Sequence, residues 1–377
     1  MMRIAINTLS IRPGKVGGIE VFLVNLIKNL LRIDRKNKYL IIVSKNNKKI
    51  FQFHSENVEY LKLNFDNNFK ITRIFFEQFI LPKKIKQKRV DMLISPTNTG
   101  LLYCPIKSLL IVQDLIYFVY PQYYSSIRRI YLQKFVKYSC RKANKIIAIS
   151  QNTKNDIIKY TGVSGRKVEV VYLGVDSECF TETEREHARQ FVLEKYGISH
   201  YVYSPTSLFP HKNVNVLIKA FSELKKQRKI PHKLIITGGD PFKKSKELEG
   251  LIYKYNLKDE VFYLGRVSQN IIPYFYKAAD LMVYLSSYEG FGLPILEAMA
   301  SGCPVLSSNR ASLPEIVGSA GLLVDPFNLK EIINKMYEIL NNKSLKEKLI
   351  SWGTERAKSF SWEKTAKKVI DIYKDLK

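Results

Sequence analysis

The stretch that decides the reading is Ser286–Gly302, SSYEGFGLPILEAMASG. It overlaps an apolar run, DLMVYLSS, that reads as a strand, and it leads into ILEAMA, a run of good helix formers. Pro294 stands where a first helical residue stands, because its missing N–H is not needed there. The turn Gly290-Phe291-Gly292-Leu293 therefore sits where a strand hands over to a helix. Glycines let backbone amides approach a ligand closely, and a helix N-terminus carries about half a positive charge. Such a turn is an anion site, suited to a diphosphate. Glu289 precedes it and Glu297 lies about one turn into the helix, so both can face one small volume. Being anionic, neither bonds a phosphate directly, and hydroxyls are their natural partners. A surface role for Glu297 fits poorly with its neighbours Ile295, Leu296, Ala298 and Met299, which suit burial.

Outward from this turn, short β-branched runs alternate with helical patterns, the signature of parallel α/β architecture. In the first half the strand candidates are RIAINT, YLIIVS, VEYLKLN, DMLISP, SLLIVQD, KIIAIS and VEVVYLG. The pattern restarts with YVYSPTS, KLIITGG, EVFYLG, LMVYLSS, PVLSS and GLLVDP. A chain of 377 residues, 46% of them hydrophobic, is long enough for two buried cores. The polar segment SECFTETEREHARQ (177–190) breaks the strand pattern and places a boundary near residue 178, giving domains over 1–177 and 178–360. The closing SWEKTAKKVIDIYKDLK (361–377) carries Ala366, Val369, Ile370 and Tyr373 at helical spacing. The expected fold is α/β, two doubly wound Rossmann-like domains facing a central cleft, with ligands at the carboxyl ends of the strands.

Composition narrows the class. No apolar run reaches the roughly 18 residues needed to span a bilayer, and LLIVQDLIYFVY (109–120) is interrupted by Gln113 and Asp114. The opening MMRIAINTLSIRPGK reads as a strand and a loop rather than a signal peptide. Cys104, Cys140, Cys179 and Cys303 show neither a CxxC pair nor zinc spacing, so reduced thiols, a cytoplasmic location and no structural metal are expected. The charge is strongly basic, 61 Lys and Arg against 34 Asp and Glu, and residues 1–180 hold 31 of the former and 12 of the latter. Such a half calls for a polyanionic neighbour. Its densest part is ITRIFFEQFILPKKIKQKRVD, where Phe75, Phe76, Phe79, Ile80 and Leu81 precede five cations between Lys83 and Arg89. That combination suits an anionic membrane surface, so a peripheral place at the inner face of a membrane is expected. Neither an RNP-like aromatic motif nor a helix-turn-helix signal accompanies the charge, and nucleic acid is not expected as a partner.

EGFGLPILEAMASGCPV resembles the E-x7-E signature of the retaining glycosyltransferases of family 4, which have the GT-B fold. GGIEVFLVNL, IIAISQNTKNDI, VVYLGVD, FPHKNVNVLIKAF and SLPEIVGSAGLLVDP are similar to other segments of that family, in the expected order and over nearly the whole chain. The resemblance implies a hexosyltransferase of surface polysaccharide synthesis, lipopolysaccharide or capsule. It would move a sugar from a nucleoside diphosphate, GDP-mannose or a UDP-sugar, to a saccharide or a polyprenyl-diphosphate-linked saccharide. Glu289 would lie beside the transferred sugar, Glu297 would bind the ribose hydroxyls, and the backbone from Gly290 through Phe291, Gly292 and Leu293 would meet sugar and diphosphate. Lys212, in PHKN, would neutralise the leaving diphosphate, with Ser207 and Arg266 as helpers, and Gly265 and Val267 would flank the base. Gly17, Gly18, Gln113 and Asp114 would line the acceptor side, Asp114 as a member of the catalytic set. The C-terminal helix would pack back on the first domain.

Two departures stand out. Gln113 occupies a position where relatives often have His, and the stretch YSPTSLFPHKN lacks an arginine that many relatives carry. The resemblance implies no cofactor and no divalent metal, and no Asp-x-Asp loop is present. A two-carboxylate glycoside hydrolase and a non-catalytic carbohydrate- or nucleic-acid-binding protein on a transferase scaffold are the alternatives; neither needs Lys212 beside a phosphate site.

Overall fold

The computed structural model describes residues 1–14, 17–176, 179–180 and 184–376; residue 178, where the polar segment suggests a boundary, lies outside them. The chain divides into two compact units, Met1–Gly174 with Trp362–Lys377, and Val175–Ser361.

The first unit is built on β1 (Arg3–Asn7), β2 (Lys38–Ser44), β3 (Val58–Leu63), β4 (Met92–Ser95), β5 (Lys107–Val112), β6 (Lys145–Ala148) and β7 (Val168–Val170). All are parallel, in the order β3-β2-β1-β4-β5-β6-β7. Parallel strands are covered on both faces, which is why they read as unbroken apolar runs; in β2 every residue after Lys38 is buried. The helix Trp362–Lys374 returns to this unit and lies along the helix Gly18–Ile33. The Phe22 and Trp362 rings lie 6.2 Å apart, and the Tyr39 and Tyr373 hydroxyls meet at 2.9 Å over Asp34. Ala366, Val369, Ile370 and Tyr373 are all buried, as their spacing predicts.

The second unit holds β8 (Tyr201–Pro205), β9 (Lys233–Thr237), β10 (Val261–Tyr263), β11 (Leu281–Tyr284), β12 (Val305–Ser308) and β13 (Leu322–Val324). These are also parallel, in the order β10-β9-β8-β11-β12-β13. In both sheets the order reverses once, between β1 and β4 and between β8 and β11, and that reversal opens a crevice at the strands' carboxyl ends. Among the described residues no helix is long and apolar enough to cross a membrane, and none of the four cysteines is in a disulfide. One expectation needs correction. Of the five apolar residues ahead of the basic run, Phe76 stacks on Phe65 at 4.3 Å and Leu81 is fully buried, because one side of their helix must cover the core; Phe75 and Phe79 stand exposed.

Candidate active site

β8 and β11 are neighbours, with Val202 beside Leu281 and Tyr203 beside Met282, and the loops leaving their carboxyl ends are tied together. After β8 the chain makes the short turn Pro210–Lys212 and enters the helix Val214–Arg228. Asn213 between them adopts a left-handed conformation (φ 53°), which asparagine tolerates better than most residues. Its side-chain amide donates to the Leu285 carbonyl at 2.8 Å, and the Ser287 amide donates to the His211 carbonyl at 2.8 Å. Lys212 is thereby held over the β11 loop. Its ammonium contacts the Glu289 carboxylate and the Tyr284 hydroxyl (2.8 Å), and the Tyr284 hydroxyl donates to Glu289 at 2.8 Å. The Lys212 and Glu289 side chains keep 12% and 15% of their surface exposed. The cluster is sheltered from water but still reachable.

The two glutamates live in different electrostatic surroundings. Burial pushes the Glu289 carboxyl up, but the Lys212 ammonium, then His211 and hydrogen bonds from Lys212 and Ser286, bring it below its ordinary value. Glu297 is raised by burial, only partly offset by the hydrogen bond it accepts from Tyr276 at 2.7 Å. Both carboxylates act on the Tyr284 hydroxyl and raise it further than burial alone, so they share one neighbourhood. His211 is held down at about 4 by burial and by Lys212, and is neutral at pH 7. One carboxylate stays ionised while the other is short of hydrogen-bond donors, an asymmetry suited to two separate jobs.

Gly292 caps the helix Leu293–Ala300 at φ 114°, a backbone shape that L side chains rarely adopt, and a Cβ there would sit 2.8 Å from Leu313. Among the described residues no side chain caps this helix start; Pro294 carries no N–H, and the Ile295 amide donates to the Gly292 carbonyl at 3.0 Å. The Ser312 hydroxyl braces the turn from below through the Phe291 (2.8 Å) and Glu289 (3.0 Å) carbonyls. The Phe291 side chain is buried, its ring 6.1 Å from that of Phe360.

Ser207, Gly265, Arg266 and Val267 lie on the same edge, past the ends of β8 and β10. Gly238, past the end of β9, lets these loops close up: a Cβ there would lie 2.3 Å from the Thr206 carbonyl oxygen, and its amide donates to Gly265 at 2.7 Å. Ser207 and Val267 are half-buried and Arg266 is exposed. The remaining expected residues belong to the first unit. Gly17 caps the helix Gly18–Ile33 at φ 52°, and Lys15 and Val16 beside it lie outside the described residues. Past the end of β5, the Gln113 side chain donates to the Pro96 carbonyl at 3.1 Å, and the Asp114 carboxylate accepts from the Ile116 amide at 3.1 Å. Both are thus part of the wiring of their loop. Tyr284, Tyr276, Ser312 and Asn213 escaped the sequence reading. The available signal was chemical: a buried tyrosine needs a partner for its hydroxyl, and Tyr284 ends the strand that feeds Glu289.

One grouping of metal-type ligands occurs among the described residues, His200, His232 and Asp280, at the opposite edge of the same sheet. Lys346 meets Asp280 at 2.8 Å, with Arg189 at 3.6 Å and Arg185 at 3.8 Å. So many cations repel a metal ion, and the chemistry there is that of a buried ion-pair hub.

Residues 186–356 match the family model described as glycosyl transferases group 1, and residues 16–178 match the one for Glycosyltransferase Family 4. O-antigen chain mannosyltransferase B of Escherichia coli is 33% identical over 263 residues, which cover 69% of this chain and 68% of that protein. The chain belongs to glycosyltransferase family 4. It is a sugar-transferring enzyme. O-antigen chain mannosyltransferase RfbU of Salmonella typhimurium is 30% identical over 57% of this chain and 56% of its own. The match to the serotype-specific mannosyltransferase WbdA of Escherichia coli spans about a third of that protein (33%), at 26% identity. Among solved structures, Anabaena Alr3699/HepE in complex with UDP-glucose aligns over 100% of both chains with a TM-score of 0.78 at 21% identity. WaaG, a glycosyltransferase involved in lipopolysaccharide biosynthesis, aligns over 98% of this chain and 99% of its own with a TM-score of 0.75 at 15% identity. At these identities the likeness is one of fold, the GT-B fold of two parallel α/β units.

Proposed function

We propose that this enzyme transfers a hexose, with retention of configuration, from a nucleoside-diphosphate sugar to a hydroxyl of a growing surface polysaccharide. The observation that carries the reading is the Lys212–Tyr284–Glu289 cluster, placed where the order of the six-stranded sheet reverses and beside the uncapped helix that Gly292 opens. The diphosphate would lie against the Gly292–Leu293 backbone at the start of that helix, and the Lys212 ammonium would turn from Glu289 to the leaving phosphate as charge develops on it. Preorganised charge of this kind is worth several kcal/mol. The bond from the sugar carbon to the acceptor oxygen forms as the bond to the phosphate oxygen breaks, and the acceptor's proton passes to the departing phosphate. Glu289 would hold the transferred sugar and Glu297 the ribose hydroxyls. The mannosyltransferase relatives favour mannose as the sugar and an O-antigen-type saccharide, free or linked to a polyprenyl diphosphate, as the acceptor. Asp114, Gln113, Gly17 and Gly18 are assigned to the acceptor side.

The direct test is a thermal-shift comparison of GDP, UDP, ADP and dTDP, since a ligand of the folded state raises Tm by mass action. One of the four should raise it, and Glu297→Ala should make the rise smaller at the same nucleotide concentration. No shift with any of them, or sugar release from a saccharide without a nucleotide donor, would refute the reading and favour a hydrolase. Turnover is expected to persist in EDTA; complete loss that manganese restores would overturn the metal-independent part.

A further inference from the structure

The first unit carries an exposed face that holds none of the residues assigned above to donor or acceptor. It is assembled from two segments far apart in sequence. The first is a kinked helix, α-helical over Lys70–Phe75, π-helical over Phe76–Ile80 and α-helical again over Leu81–Gln87. Pro82 has no N–H to give to the carbonyl four residues back, and the widened turn before it accommodates the loss. Along this helix Ile71 (85% exposed), Phe75 (51%) and Phe79 (61%) point outward, the two rings 5.5 Å apart. The second segment is the helix Ser126–Lys142, where Ile127, Tyr131, Lys134 and Tyr138 follow one another at helical spacing and are all exposed. Ile127, like Ile71, is 85% exposed.

The two segments form one surface. The Leu102 amide donates to the Gln78 side chain at 2.7 Å, and the Tyr138 hydroxyl donates to the Leu102 carbonyl at 3.0 Å. Toward the other end, Arg128 stands close enough to Lys70 to be the main cause of its lowered ammonium pKa. Residues 69–89 and 126–142 together hold thirteen Lys and Arg and one acid, Glu77, which is buried. The face is therefore both apolar at its crests and almost purely cationic around them.

We propose that this two-helix face docks on a bilayer surface containing anionic lipid. A nucleic acid would use the cations but has nothing to offer Ile71 and Ile127, which are aliphatic. An anionic bilayer uses both sets, taking the rings and isoleucines into the border of its acyl region and the Lys and Arg among its headgroups. The face lies on the membrane, as no described helix is fit to cross one. The inference is independent of the donor assignment, because none of its residues belongs to that cluster.

Flotation of the full chain with phosphatidylcholine vesicles, with and without phosphatidylglycerol, tests it. Binding is expected to the phosphatidylglycerol vesicles only, and to weaken in high salt. A Phe75→Ser, Phe79→Ser, Ile127→Ser variant, and separately a Lys83→Gln, Lys84→Gln, Lys86→Gln variant, should each lower the bound fraction about ten-fold. Their unchanged Tm and nucleotide-induced thermal shift would show that the fold and the donor site are intact. Equal binding to both vesicle types, binding to neither, variants that float like the parent, or capture of RNA with vesicles ignored would each overturn the proposal.

Discussion

The two edges of the six-stranded sheet both bury charge at the ends of β8 and β11, and to opposite effect. At the amino edge Asp280 is oversupplied: Lys346, Arg185, Arg189 and His200 all lie within 3.8 Å of it. Two of those partners come from the helix Arg185–Tyr196 and one from the helix Lys343–Lys358, so the hub pins helices to the sheet. At the carboxyl edge one lysine serves one glutamate, a second glutamate has its hydrogen bond from Tyr276, and glycine backbone lies alongside. A saturated charge is a strut. An undersupplied one, beside a helix start that no side chain caps, has a place for a ligand, because a low-dielectric surround makes every missing partner costly.

Substitution at each edge can break that contrast, and the largest effect is expected from Lys212→Ala. Turnover should fall about 10²–10³-fold, the loss typical of one electrostatic donor to a developing charge, with circular dichroism unchanged. Because Lys212 is the main influence opposing burial at Glu289, the variant's Glu289 should also titrate higher, moving the acid limb of the pH–rate profile upward. A modest loss with an unmoved profile would place the phosphate's counter-charge elsewhere. Asp280→Ala should do the reverse. Removing the buried acid that these half-buried cations share should cost about 1–3 kcal/mol of unfolding free energy by urea denaturation, with turnover per folded molecule retained.

The two glutamates refine the contrast within one edge. Glu297→Ala is expected to weaken nucleoside-diphosphate binding about ten-fold, the value of one hydrogen bond to a charged group, by calorimetric titration. Glu289→Ala should leave that affinity and lower turnover instead. If both variants change the same parameter, the separate roles fail. A smaller change, about 1 kcal/mol in kcat/KM, is expected for Tyr284→Phe, which removes the hydroxyl that Lys212 and Glu289 share.

The carboxyl edge was legible in the sequence because its chemistry is local. Glu289, Gly292, Pro294 and Glu297 fall within one short stretch, and parallel strands read as apolar runs. Lys212 was found only through its motif, since nothing in PHKN announces that β8 lies beside β11. The amino edge was illegible for the same reason. Asp280, His200, His232 and Lys346 are distant along the chain and meet only through strand order and helix packing. The aromatic face was half legible: periodicity shows that a helix has two sides, but the π-helical turn at Phe76–Ile80 shifts which residues face out.

Histidine titration gives the finest comparison. His211 at the carboxyl edge and His232 at the amino edge are both held at about 4, below the ordinary 6.5, and burial is the first cause in each. Their neighbours act in opposite directions. Lys212 pushes His211 further down, whereas Asp280 pulls His232 up. Two-dimensional NMR titration should therefore show His211 rising in Lys212→Ala and His232 falling in Asp280→Asn. Because a buried neutral histidine binds no proton until pH falls near 4, while the unfolded chain takes one near 6.5, each contributes stability above 6.5 that is lost as pH drops through that window. His232→Asn should flatten the acid side of the Tm–pH curve, without the loss of turnover that any change at Lys212 brings. Shifts of the same sign at both histidines would mean that burial alone governs them, and the charge asymmetry between the two edges would lose its support.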